Sequence, residues 1–426
     1  MKRKKTLIQL IRTGSLEEIK EALKTASHDD VNEFGHTPLM VAIHCGNRKD
    51  FDQVFDLILE WDTNLDKKDK DGYTAFSHAV SLRKIKCVEK LLEKDIDVNI
   101  PCVVTVAPHP RAYEAFETAV ARGEAAIYPK STLQKMTALS IFIYKSYDYL
   151  AEKLVDKNAN LDLIGGLDIT PLSMAARANN LEMMQYLLEK KANPNIVPKN
   201  WRHYASCEEE VCPIALKKAL KYGNGAALAM LISAGSRIPQ SFPRKNNMYS
   251  TPLTYLFSQP NRQVAEPFYC LKILKDYVDI SLCDSQNRSA LSYAVENNFS
   301  GFVLNHLMDE KINNLPDRSG YTPMMYAWQN NNYQAMDMLY EKGIPMANNI
   351  FEPTGETLLM ISLQEKNIEM VEFLLRYNPN LLYKDKKGNT VLNYLTGYQA
   401  LDEKVKDLYQ AQLAKVGYKC RQQRTN

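Results

Sequence analysis

The residues of this chain that could do chemistry are few and scattered. His203, Cys207 and Cys212 follow one another as H-x3-C-x4-C. A zinc site takes four ligands at characteristic spacings. This spacing matches no common zinc pattern and lacks a fourth ligand, so the stretch is expected to hold two loop thiols beside an aromatic patch. His28, His36, His44, His78, His109 and His306 fall in different segments. No carboxylate pair, Gly-rich phosphate loop or nucleophile elbow stands out. A Cys–His pair could be assembled only by the fold, since such partners are neighbours in space and not in sequence. No catalytic residue, metal ligand or cofactor is assigned.

Any site must be positioned by short helices. Asp168–Asn195 shows the pattern most clearly. Thr170 offers a capping oxygen and Pro171 suits the first helical position. Leu172, Ala175 and Ala176 form one small apolar face, and Asn179-Asn180 ends the helix. Leu181, Met184, Leu187 and Leu188 give a second helix an apolar face at helical spacing. Asn193-Pro194-Asn195 stops it. Two such helices cannot bury both faces alone and need a neighbour on each side.

The same pattern recurs along the chain. A degenerate copy has Lys5 in the Thr position. Others register on Thr37, Thr74, Thr137, Thr170, Ile214, Thr251, Ser289, Thr322, Thr357 and Thr390. The intervals 137–170, 289–322 and 357–390 are each 33 residues. Asp69/Gly72, Asp317/Gly320 and Asp385/Gly388 carry D-x-x-G-x-T. There Asp can bond its own backbone and Gly can take positive φ, so the pair reads as a turn and not as a metal site. With T-P-L-x-x-A, a leucine-rich second helix and an Asx-rich stop, the chain resembles the ankyrin-repeat family. The resemblance implies an all-α ankyrin-repeat solenoid of ten or eleven helix-turn-helix units across residues 1–426. It also implies recognition of a partner protein. Residues 5–36 read as an N-terminal capping repeat and 390–416 as a C-terminal repeat and capping helix, with a basic end from Gly417 expected to fray.

Composition sets bounds. Apolar residues make 45% and charged residues 24% of the 426, as in ordinary soluble proteins. A net charge of +3, from 53 basic and 50 acidic residues, argues for no nucleic-acid partner. No stretch reaches the ~18 apolar residues of a membrane span. The basic start, Met1 to Lys5, lacks the apolar core and cleavage site of a signal peptide. Eight cysteines without framework spacing fit reduced thiols in a cytoplasmic setting.

Departures from the 33-residue period mark where function is expected. Residues 100–136 form an insertion or half repeat, and 197–213 an insertion loop holding Trp201 and Tyr204. A third extension runs from Arg237 to Ser250. Long loops on a repeat scaffold tend to map to the binding face.

A tyrosine series is the sharpest signal. Tyr255, Tyr293, Tyr326 and Tyr394 sit four residues after the register position, as does Met174. This position is turned about 200° from the core Leu at 100° per residue, which directs it to a concave groove. The competing reading is a ladder of rings packed between repeats. Helix ends Arg177, Glu296, Asn297, Gln329 and Asn330 and turn tips His36, Tyr73, Arg288 and Tyr321 would border the groove. The expected partner-binding set is therefore Tyr73, Met174, Arg177, Trp201, Tyr204, Tyr255, Arg288, Tyr293, Tyr321, Tyr326 and Gln329. The first expectation is a monomeric, non-catalytic protein-binding scaffold. One alternative is a bacterial ankyrin effector secreted into a host cell. Another is an enzyme, a hydrolase or transferase, hosted by the inserted loops.

Overall fold

The computed structural model describes residues 5–106, 132–166, 168–200, 211–244, 248–261, 264–308, 315–346, 349–351 and 353–423. The fold is all-α, built of helix pairs as the ankyrin resemblance implies, with three small hairpins among the described residues. It divides into two compact units. One is Met1–Asn200 with Pro213–Ala219 and Met230–Ser236; the other is Trp201–Cys212 with Leu220–Ala229 and Arg237–Asn426.

Eight first helices begin where a Thr or Ser at the register position caps them. The side chains of Thr37, Thr74, Thr137, Thr170, Thr251, Ser289, Thr322 and Thr357 accept the amide three residues on. This satisfies a donor that the helix leaves open. At the N-terminus the cap is Thr6, one residue beyond Lys5, with Gln9 completing a capping box. The link between helices needs a left-handed residue. Asn179, Asn298, Asn331 and Gly223 take positive φ there, as do Arg83, Ser146 and Lys366. All stand nine residues after the register position. Gly72, Gly320 and Gly388 take φ of 86°, 85° and 82° in the turns before Thr, as the D-x-x-G-x-T pattern predicts.

Packing follows the small apolar faces. In the first unit, the helices Leu7–Thr13, Pro38–His44 and Ala75–Ser81 pack in succession. In the second, Pro252–Phe257, Ala290–Glu296 and Pro323–Gln329 do the same. Alanines 42, 79, 175, 294 and 327 are buried and let these helices approach closely. Buried leucines and isoleucines such as Leu39, Ile58, Leu187 and Leu304 fill the layers. Each contributes about 1.5–3 kcal/mol through removal from water.

The irregular segments begin differently from an enlarged loop. Cys102–Val106 pairs antiparallel with Thr132–Met136, so the 100–136 insertion rises from a β-hairpin stem. Residues 107–131, where a half repeat is expected, lie outside the described residues. So do 201–210, which hold Trp201, His203, Tyr204 and Cys207. The third extension closes as a short hairpin, Phe242–Arg244 with Met248–Ser250. A third hairpin joins Ile350–Phe351 to Glu356–Thr357. At the C-terminus, Val391–Tyr394 is a single 3-10 turn, and a helix follows from Gln399 to Gln423. Its backbone stays helical past Gly417, where fraying is expected, because Lys, Gln and Arg are good helix formers.

Candidate partner-binding site

The tyrosine series is held in place by the turns. Tyr293 Oη donates to Asp284 Oδ2 at 2.7 Å, and Tyr326 Oη donates to Asp317 Oδ2 at 2.6 Å. Tyr394 Oη donates to Asp385 Oδ2, and also to Glu356 Oε1 at 3.0 Å. In each case the other carboxylate oxygen accepts two backbone amides of the turn: Gln286 and Arg288, Ser319 and Tyr321, Lys387 and Asn389. The Asp thus clamps its finger turn to its own first helix. Burial and the Asp317 bond both push the Tyr326 phenol up from its ordinary pKa.

This corrects the groove expectation for Met174, Tyr255 and Tyr326, whereas Tyr293 and Tyr394 are half-buried. Met174 is 2% exposed, and Tyr255 and Tyr326 are 8% exposed. The 200° rotation places the position away from the core Leu. In a stacked layer, however, neighbouring first helices cover both flanks and the finger turn folds over the remainder. Tyr255 packs edge-on against Phe242 of the hairpin, with ring centroids 5.5 Å apart. Asn297 and Asn330 serve the scaffold too. Their side-chain amides donate to the carbonyls of Phe257 and Glu296, tying successive first helices together.

Four of the expected residues come together in the second unit. The Arg288 guanidinium lies 3.9 Å from the Tyr293 ring centre and 4.3 Å from that of Tyr326. Tyr321 packs on Tyr326 at 5.4 Å and on Phe351 at 5.1 Å. The ladder reading therefore holds here, with an arginine interleaved. Burial opposes the charge of Arg288, but Glu296 at 2.6 Å and the flanking rings hold its pKa above the ordinary value. Beside this stack opens a cleft of about 330 Å³. Tyr321, Trp328, Gln329, Phe351, Glu356 and Glu365 line it. Trp328 Nε1 donates to Ser362 Oγ at 2.8 Å, which fixes the indole in the wall. Gln329 is exposed at the rim. Phe351 and Glu365 carried no signal in the sequence, because the hairpin that presents Phe351 is not part of the repeat pattern.

In the first unit the remaining expected residues stand apart. Arg177 lies over the Tyr144 ring at 5.6 Å, and Tyr73 lies under Lys135 Nζ at 5.4 Å. Cys212 is buried. The histidines behave otherwise. His36, His44 and His78, taken as scattered in the sequence, bring ring nitrogens within 4.8 Å of one another. His78 Nε2 donates to Asp69 Oδ2 at 2.8 Å, in the same clamp geometry as the tyrosines. Its Nδ1 lies 3.1 Å from His44 Nε2. His36 stacks on His44 at 5.3 Å, and its Nε2 is 3.6 Å from Asp69 Oδ2. His44 is an exposed residue, yet partial burial of its ring and then repulsion by His78 and His36 lower its pKa to about 4; burial and His78 lower that of His36. Burial opposes the charge of Asp69, yet the Tyr73 amide and His78 keep its pKa below the ordinary carboxylate value.

The repeated helix pairs and capped turns define the class of the protein. The ankyrin-repeat profile matches residues 7–102 and 263–350 in its three-copy form, and residues 168–199 and 354–386 as single repeats. The chain belongs to the ankyrin-repeat family. It is 28% identical over 139 residues to an ankyrin repeat protein of fowlpox virus, covering 29% of this chain and 32% of that one. It is 22% identical over 400 residues to the NAD-dependent deacetylase sir2B of Dictyostelium discoideum, covering 86% and 46%. With the ankyrin repeat protein nuc-2 of Neurospora crassa it shares 24% over 303 residues, covering 56% and 27%. The chain spans less than half the length of each of these relatives. The crystal structure of the human ASB11 ankyrin repeat domain covers 56% of this chain and 98% of its own, at 18% identity and a TM-score of 0.42. Ankyrin repeats are generally protein-interaction modules. Among the described residues no helix is long and apolar enough to cross a membrane.

Proposed function

We propose that this chain is a non-catalytic scaffold that binds a partner protein on the finger-turn side of its second unit. The observation that carries this reading is the cleft beside the Arg288–Tyr326–Tyr321–Phe351 stack. Its aromatic walls are fixed by internal bonds before any partner arrives, which lowers the ordering cost of binding. Its rim carries Gln329, Glu356 and Glu365. An apolar or aromatic partner side chain flanked by a basic residue fits that lining. Tyr321 is half-buried in the cleft, and tyrosine is a favoured binding anchor.

The state of the thiols supports the non-catalytic reading. Burial pushes Cys87 up to about 11 and Cys270 up to about 12, so both stay protonated and unreactive at neutral pH. All six cysteines whose side chains are described are free, which supports a reducing, cytoplasmic setting. The test is a photo-crosslinking residue placed at Gln329 and, as a control, at Glu341 on the neighbouring second helix. A partner adduct is expected from position 329 and not from 341, and Tyr321→Ala is expected to abolish it. Equal adducts from both positions, or an adduct indifferent to Tyr321→Ala, would move the site elsewhere.

A further inference from the structure

Three of the seven histidines in the chain meet at one point, although 42 residues separate the first from the last. His36 comes from the finger turn of the Thr37 copy and His44 from the end of its first helix. His78 comes from the first helix of the Thr74 copy. We propose that His36, His44 and His78 form a binding site for one divalent transition metal ion of the zinc type, oriented by Asp69.

The clamp position explains why this is more than ring packing. In three other copies the Asp of the turn is held by a tyrosine hydroxyl, which has a single polar atom to offer. In the Thr74 copy the same role falls to an imidazole. Its Nε2 donates to Asp69 Oδ2, so its Nδ1 is left as the lone-pair nitrogen, and that nitrogen faces His44. A carboxylate fixing the far nitrogen of a ligating histidine is the usual support of a metal site, because it sets the tautomer and raises basicity. Asp69 is itself fixed: it is 1% exposed at the side chain, and its Oδ1 accepts the amides of Asp71 and Tyr73.

The spacing fits as well. Zinc–nitrogen bonds of 2.0–2.1 Å at tetrahedral angles put ligand nitrogens about 3.3 Å apart. His44 Nε2 and His78 Nδ1 are 3.1 Å apart, and all three ligand atoms lie within 4.8 Å of one another. Small rotations of the His36 and His44 rings close the remaining gap, and His44 is exposed enough to turn. An all-imidazole set suits Zn²⁺, Co²⁺, Ni²⁺ or Cu²⁺ and not Ca²⁺ or Mg²⁺. Three protein ligands leave a fourth position for water or for a side chain of a bound protein.

The experiment uses the full chain, stripped with a chelator and titrated with Co²⁺, whose visible ligand-field band reports tetrahedral coordination, followed by Zn²⁺ in competition. One equivalent of Co²⁺ is expected to give the band, and Zn²⁺ to displace it. His44→Ala and His78→Tyr are expected to abolish it, while His28→Ala and His306→Ala leave it intact. His78→Tyr restores the clamp residue of the other copies, so hydrogen-exchange protection of residues 69–81 is expected to match the parent, which separates metal loss from misfolding. Asp69→Asn keeps the turn, as Asn32 does in the Thr37 copy through its Oδ1 bonds to the Phe34 and His36 amides. It is expected to weaken metal affinity about 10–100-fold. A band that survives His44→Ala and His78→Tyr, or binding that does not saturate at one equivalent, overturns the proposal.

Discussion

Replacing Tyr326 by Phe removes one atom from the clamp and leaves the ring stack on Arg288 in place. The lost bond is a 2.6 Å hydrogen bond from a buried hydroxyl to the Asp317 carboxylate. Hydrogen bonds to charged groups contribute about 1.5–3 kcal/mol. After the change, Asp317 Oδ2 has only Arg288 Nε, 3.9 Å away, and so no hydrogen bond among the contacts described. The expected loss is therefore the upper part of that range, about 2–3 kcal/mol. Asp317→Ala also removes the acceptor of the Ser319 and Tyr321 amides and strands the tyrosine hydroxyl. Its expected cost is about 3–5 kcal/mol. Repeat arrays open locally and need not unfold in one step, so a single melting temperature is the wrong readout. Hydrogen exchange of a peptide spanning residues 317–329 reads the local opening. Tyr326→Phe is expected to speed it roughly 30- to 150-fold, since about 1.4 kcal/mol is a factor of ten. Tyr398→Phe, at an exposed ring, is the control and should change exchange less than about twofold. Partner adducts at Gln329 should survive Tyr326→Phe once the protein is folded. A change at Tyr326 no larger than at Tyr398 would refute the clamp, and loss of partner binding without loss of protection would return Tyr326 to the groove.

Three further outcomes follow from the inter-helix links and the histidines. Gly223 has φ of +64°, and a Cβ there would lie 2.2 Å from Val264 Cγ1. Gly223→Ala is expected to destabilise the second unit by about 2 kcal/mol or more, read by urea titration. Lys366 takes φ of +58° at the same link, so Lys366→Gly is expected to stabilise by about 0.5–1 kcal/mol in the same assay. The third concerns pH. His44 is lowered to about 4 in the fold, with His36, His78, Arg12 and Asp69 as its charged or titratable neighbours. A lowered histidine binds fewer protons folded than unfolded, so its contribution is full above the ordinary value of about 6.5 and is lost as pH falls toward 4. Protection factors of residues 36–44 and 74–81, corrected for the pH dependence of intrinsic exchange, should fall across that window in the parent and much less in His44→Ala. Asp69, whose pKa is also lowered, loses its contribution only below the ordinary carboxylate range, so a second loss is expected at more acid pH.

The repeats were legible because they rest on local rules. Thr at the cap, Pro at the first helical position, and Gly or Asn at left-handed links are chosen by backbone geometry that any short window contains. Registering the copies on Thr37, Thr74 and Thr170 needs no knowledge of distant contacts. The hairpins were less visible. Cys102–Val106 has β-branched residues in succession, a strand signal that competes with the helix-turn-helix period of the flanking copies. Ile350–Phe351 is two residues long and has no period to detect. The histidine cluster could not be read at all from spacing alone. His36 and His44 are eight residues apart, and His78 joins them only because adjacent copies stack.

The clamp is written in the sequence as a pair of positions. Aspartate stands five residues before the register position at Asp69, Asp284, Asp317 and Asp385. The residue four after that position is then His78, Tyr293, Tyr326 and Tyr394. Where the earlier position holds Asn32, Thr132 or Gly165, the later one holds Val41, Ile141 or Met174. In these seven copies a polar ring goes with the aspartate and an apolar side chain with its absence; Tyr255, after Asn246, and Ile361, after Glu352, depart from the pairing. A hydroxyl in that buried place costs free energy without an acceptor, and an aspartate there costs more without a donor. Reading the tyrosines alone, as rings on one helix face, left out the other half of the pair and sent them toward solvent. Paired with their aspartates they belong to the scaffold. The groove then passes to residues with no clamp role, Gln329 and Phe351 above all. The one clamp made by an imidazole becomes the exception, because histidine alone among these residues has a second nitrogen to give to a ligand.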